Sequence, residues 1–90
     1  MLEFEFDPDK SRINKEKHGI DFIEGEKLWN DIDLLEIKAK ATEEERFIEI
    51  GKIGLNHWTA VITYRNNRVR IISIRPSRKD EKELYESERI

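Results

Sequence analysis

The ninety-residue sequence predicts an α+β fold, with a small antiparallel sheet of three to five strands packed by two N-terminal helices and one C-terminal helix. Three observations carry that prediction. Residues 46–53, 57–65 and 68–75 are apolar, β-branched runs separated by short turn signals, which is the pattern of a meander. Two helix starts precede them, Asp7-Pro8-Asp9-Lys10 and Asp21 with Glu24, and a third, Ser77 with Asp80, follows Pro76. A chain of this length buries only about 60–65% of its extended surface and supports one core, so residues 1–90 read as one domain.

Phe4-Glu5-Phe6 is a short strand candidate. The first helix follows: Asp7 is placed to cap, Pro8 suits the first helical position, and Asp9 complements the positive end of the helix dipole. Lys17-His18-Gly19 ends it, with Gly19 supplying the left-handed residue after the last turn. Between Pro8 and His18 only Ile13 is clearly apolar, so this helix lacks a greasy stripe. Lys10, Asn14, Lys17 and His18 instead share one polar face that either meets water or lines a site.

Asp21 and Glu24 form a capping box for a second helix running to Trp29, in which Phe22, Gly25 and Trp29 share a packing face. Gly25 weakens that helix by roughly 1 kcal/mol relative to alanine and permits close packing. Asp33 to Lys38 reads as an edge strand, and the acidic run Thr42 to Arg46 as an exposed turn. A loop at Gly54 to Asn56 joins the first two strands of the meander. Asn66-Asn67 joins the last two, and two residues tolerant of positive φ fit a type I′ hairpin. Pairing Arg65 with Arg68 then sets Tyr64 against Val69, Ile62 against Ile71, Ala60 against Ser73 and Trp58 against Arg75. Both faces of the sheet carry apolar residues, so helices should cover both, at least in part. In the last helix Glu81, Leu84, Tyr85 and Glu88 lie on one face.

Charge narrows the function classes. The net charge is −3, but the three successive thirds of the chain carry −3, −3 and +3. An acidic whole argues against strong non-specific nucleic-acid binding, whereas a basic last third suits a local anion site. Cysteine is absent, which agrees with a reducing compartment, and no apolar stretch approaches 18 residues. The chain therefore reads as a soluble cytoplasmic protein. No Cys/His cluster or HExxH spacing points to a metal, and no glycine-rich loop to a nucleotide, so no cofactor is expected.

Four arginines and a lysine gather between Arg68 and Lys79, along an apolar strand and into the start of a helix. Arg78 and Lys79 have the wrong sign for a helix N-terminus, which costs a few tenths to about 1 kcal/mol each before screening. A bound anion reverses that sign. Backbone N–H groups at the helix start, Arg75 from the strand end and Arg78 from the first turn can converge on one phosphate-sized group. Solvated turn residues would account for the same charges, and a Trp58–Arg75 cation–π pair for the strand end.

The order F-x-F-D-P-D-K-x-x-x-N-x-x-K-H-G-I-x-F, then E-R-F-x-x-I-G, then R-I-I-S-x-R-x-x-x-x-x-E-x-x-x-Y resembles the BrnT-type toxins of bacterial type II toxin–antitoxin pairs, from Phe4 to Tyr85. The resemblance implies a RelE-like fold and a metal-independent ribonuclease that arrests translation. It also implies a cognate antitoxin whose ribbon-helix-helix domain represses the shared operon, so DNA is met only through that partner. Gly25, Trp29 and Ile74 depart from the residues commoner in the family, at packing positions.

RNA supplies its own nucleophile, the 2′-OH. The protein must move two protons and neutralise a phosphorane-like centre, tasks for histidine or glutamate and for arginine or lysine. His18, Arg75, Glu81 and Tyr85 are accordingly the expected catalytic residues. Arg75 clamps phosphate, His18 acts as general acid or base, Glu81 is the second proton carrier, and Tyr85 stacks on a base or donates to phosphate. Lys10, Asn14, Lys17, Trp58, Arg70, Ser77 and Arg78 are the expected contacts to RNA, free or on the ribosome. Placement of His18 and Lys17 at a helix C-terminus is also favourable without any catalysis. A non-catalytic module that binds RNA or the antitoxin would share the same arginine junction.

Overall fold

A computed structural model describes residues 2–40 and 44–89 and shows an α+β chain with three helices on a five-stranded mixed sheet. In chain order these are β1 (Phe4–Glu5), α1 (Pro8–His18), α2 (Phe22–Gly25) continued by a 3-10 turn (Glu26–Asn30), β2 (Leu35–Ala39), β3 (Arg46–Ile53), β4 (Asn56–Arg65), β5 (Arg68–Pro76) and α3 (Lys79–Ser87). The sheet order is β1-β5-β4-β3-β2. Strands β2 to β5 form the expected antiparallel meander. The sheet is not wholly antiparallel, however, because β1 lies parallel to β5, with Phe4 beside Val69 and Glu5 beside Arg70. Among the described residues no helix is long and apolar enough to cross a membrane. Residues 42 and 43 of the acidic turn lie outside the described residues; Glu44 and Glu45 are exposed, and β3 begins at Arg46.

The helix that lacks a greasy stripe is held by polar side chains. Asp7 accepts the Asp9 N–H at 2.9 Å, Pro8 opens α1, and Gly19 closes it at φ 80°, with its N–H donated to the Lys15 carbonyl. Its buried positions are Ser11 and Asn14. Ser11 Oγ accepts the Phe22 N–H at 2.9 Å. Asn14 Nδ2 donates to the Ile20 carbonyl at 2.8 Å, while its Oδ1 accepts the Ile74 N–H at 3.2 Å. One amide thus ties α1 both to the following loop and to β5. Asn14, expected as an RNA contact, is buried and spends its amide on two backbone bonds.

The capping box at Asp21 and Glu24 is present, but the second helix tightens into a 3-10 turn after Gly25. A Cβ on Gly25 would lie 2.0 Å from Ile74 Cδ1, so this turn packs directly on β5. Ile20, Phe22 and Leu28 meet Ala60, Ile62, Val69, Ile71 and Ile74 there in the main core. Each of these side chains larger than Ala60 contributes roughly 1.5–3 kcal/mol by leaving water.

Asn66 and Asn67 take φ of 52° and 64°, as a type I′ turn requires, and the expected register holds as far as Ile62 opposite Ile71. A β-bulge then shifts it by one residue. Val61 pairs with Ser73, Ala60 with Ile74, Thr59 with Arg75 and Trp58 with Pro76. The reason lies in the spacing of Ile71 and Ile74, which are three apart yet both buried in the same core, so one extra residue must stand between them. The shift removes the expected Trp58–Arg75 pair: Trp58 packs against the core, and Arg75 turns to the other face.

Candidate active site at the end of the fifth strand

Ile74 lies against Gly25 of α2, and its neighbour Arg75 meets Glu81 of α3, so alternation along β5 puts α2 and α3 on opposite faces of the sheet. Arg75 Nη1 and Nη2 donate to the two carboxylate oxygens of Glu81 at 2.7 and 2.8 Å. This fork-to-fork pair is mostly shielded, with the two side chains 24% and 13% exposed. Glu81 Oε1 also accepts the Arg78 N–H at 2.8 Å and the Thr59 hydroxyl at 3.1 Å. Thr59 in turn is 2.8 Å from the Ser77 hydroxyl, and the Ser77 N–H donates to the His57 carbonyl. Ser77 is thereby fastened to the sheet, and α3 starts at Lys79 rather than at Ser77.

A guanidinium, a helix-start N–H and a hydroxyl therefore converge on one oxyanion, as the charge pattern predicts. The oxyanion is the protein's own Glu81. Hydrogen bonding from Arg75 is the main reason that its carboxyl is pulled down to about 2. Such a group stays ionised near neutrality and is a weak base. Arg75 Nη1 also leans on the Pro76 carbonyl at 3.4 Å, which leaves Nε–H and one Nη2 N–H without a hydrogen-bond partner among the described residues.

The remaining sequence candidates scatter. Tyr85, one turn beyond Glu81, is 1% exposed. Its hydroxyl donates to Asp31 Oδ2 at 2.7 Å, and burial, then that carboxylate, push it up to about 12. It is a core residue of α3 rather than a group presented to solvent. His18 ends α1 on the other face of the sheet, half-buried and without a hydrogen bond to any described residue. It stands one helical turn past Asn14, which is bonded to the residue before Arg75, so both belong to the same end of β5. Lys10, Lys17 and Arg78 are exposed, while Arg70 is tied to Glu5 at 2.8 Å.

The structure adds a second histidine to this region. His57 Nε2 is 2.8 Å from Glu86 Oε2, and its ring stands edge-on to Tyr85 with centroids 5.4 Å apart. Its hydrogen bond is the first cause of the lowered Glu86 carboxyl. The available signal was alternation, since His57 and Thr59 share a strand face, but only the bulged register puts Arg75 on that face too.

A family model described as "Ribonuclease toxin, BrnT, of type II toxin-antitoxin system" matches residues 6–81. No curated protein matches the chain.

Proposed function

The chain belongs to the BrnT family of ribonuclease toxins of type II toxin–antitoxin systems, and from that premise we propose that it is a metal-independent RNA endonuclease whose phosphate clamp is Arg75. The observation that carries this reading is the Arg75–Glu81 fork at the end of β5, which holds a guanidinium still while leaving two of its N–H groups free. An arginine fixed in this way needs little reorganisation when negative charge develops beside it.

In the proposed reaction the RNA 2′-oxygen attacks the adjacent phosphorus. The 2′-O–P bond forms and the P–O5′ bond breaks, leaving a 2′,3′-cyclic phosphate and a 5′-hydroxyl. One group takes the 2′-OH proton and another protonates O5′. His18 serves one of these steps as acid or base. Glu81 positions Arg75, and Lys10, Lys17 and Arg78 hold flanking phosphates. Cleavage arrests translation in the cytoplasm. The whole chain is read as one RelE-like domain, neutralised by a ribbon-helix-helix antitoxin.

The test is cleavage of a purified single-stranded RNA in EDTA. Wild-type protein should cut, Arg75→Ala should lose about 10²–10³-fold in rate, and His18→Ala should lose about 10²-fold or more. Loss of cutting in EDTA, or an active Arg75→Ala, would sink the proposal. RNA that is bound through Arg75 but left intact would mark a binding module instead.

A further inference from the structure

Strand β2 ends the sheet. Its inner edge pairs with β3 over all five residues, and its outer edge pairs with no described strand. Along it Leu35, Ile37 and Ala39 are half-buried while Glu36 and Lys38 are exposed. Opposite Glu36 in the ladder stands Glu49, which is 2% exposed and whose Oε2 has no hydrogen-bond partner. The Tyr64 hydroxyl donates to Glu36. The nearby cation on β2, Lys38, is committed to Glu45 at 2.7 Å. Two adjacent carboxyl groups, one buried with an idle oxygen, therefore stand beside a bare strand edge, and neither is paired with a cation among the described residues. Burial, then Glu36, raise the Glu49 carboxyl to about 9, the expected response to a missing counter-charge.

Leu35 and Ile37 lie on the other face of β2. There Ile37 is flush with Ile48 of β3, and Ile48 with Val61 of β4, all half-buried. This is an apolar row that reaches the open edge.

We infer that the outer edge of β2 receives an extended segment of the protein antitoxin, which adds a strand to the sheet and seats a lysine or arginine on Glu36 and Glu49. The inference rests on the toxin–antitoxin reading above. Unpaired strand N–H and C=O groups are satisfied by another backbone in this way. A residue opposite Glu36 on an added strand has its Cβ about 4.5–5.5 Å away, within reach of both carboxyls, and its two neighbours fall on the face of Leu35 and Ile37. The matching segment reads apolar, basic, apolar, then acidic opposite Lys38. RNA does not fit, because the exposed Glu36 carboxylate repels phosphate.

The experiment uses this chain and the protein encoded by the gene adjoining its own, with backbone hydrogen exchange and a binding titration. Amides of Leu35–Ala39 should slow at least tenfold on complex formation. Glu36→Arg should weaken binding at least tenfold, with RNA cleavage unchanged. If the neighbour binds while β2 exchange and the Glu36→Arg affinity stay at wild-type values, the inference fails and the toxin reading stands. If the neighbour does not bind the wild-type chain, both fail. Should Glu36→Arg misfold, exchange on the wild-type complex decides by itself.

Discussion

Arg75 and Glu81 divide the labour differently from a general acid–base pair. A carboxylate held near 2 by a guanidinium contributes orientation, and its neutral isostere keeps the shape while losing the charge. Glu81→Gln should therefore slow RNA cleavage about tenfold without altering the pH–rate profile between 5 and 8. If that substitution removes an inflection from the profile, Glu81 carries a proton after all. Tyr85→Phe tests the opposite case, a residue whose conspicuous hydroxyl serves the fold. It leaves Asp31 Oδ2 with only the Lys52 N–H, and should lower unfolding free energy by about 1–2 kcal/mol while cleavage persists. Arg75 was legible as an anion-binding residue because arginines seldom crowd one strand end without a counter-charge. The identity of that counter-charge was not, since a six-residue step from β5 into α3 has to be folded before Glu81 can be seen to fill the place expected for an anion.

The helices were legible by their ends and less so by their docking. Asp7-Pro8 and His18-Gly19 bound α1 as the sequence indicates, but nothing in its composition tells that Ser11 and Asn14 fasten it by bonding to main-chain groups far along the chain. Asn14→Ala strands the Ile74 N–H and the Ile20 carbonyl in a buried place and should cost about 2–4 kcal/mol, measurable by urea unfolding. Gly25 and Ile74 touch. A residue without a side chain on one side of the contact makes room for a large one on the other. Gly25→Ala gains helix propensity of about 1 kcal/mol but drives Cβ into a fully buried isoleucine, and should destabilise by a net ~1–2 kcal/mol. Ile74→Val removes the obstructing Cδ1 and should relieve most of that loss in the double variant. The same Ile74 explains why the hairpin register was only half legible: turn chemistry at Asn66-Asn67 sets it, and core demand at Ile71 and Ile74 breaks it at Ile72, five residues past Asn67.

For the molecule as a whole, two carboxyls set opposite pH limits on stability. Glu81 sits below its ordinary 4.5, so its contribution is present above 4.5 and is lost as pH falls towards 2. Glu49 sits above its ordinary 4.5, so the folded chain holds a proton that the unfolded chain releases, and stability declines as pH rises from 4.5 towards 9. Glu49→Gln should flatten that decline in thermal melts between pH 5 and 9, and an unchanged slope would assign it to other groups. The α+β class and the β2–β5 meander were legible because periodicity and turns are local. The parallel seat of β1 was not, because it depends on a partner some 65 residues away: Phe4 lies beside Val69, and the Glu3 carbonyl accepts the Val69 N–H. That pairing bears on biogenesis. Strand β1 finds its neighbour only when β5 is in place, and Arg75 gains its brace only after α3 has folded. The bearing of that guanidinium is therefore set late in folding, by a helix that lies beyond the strand carrying it.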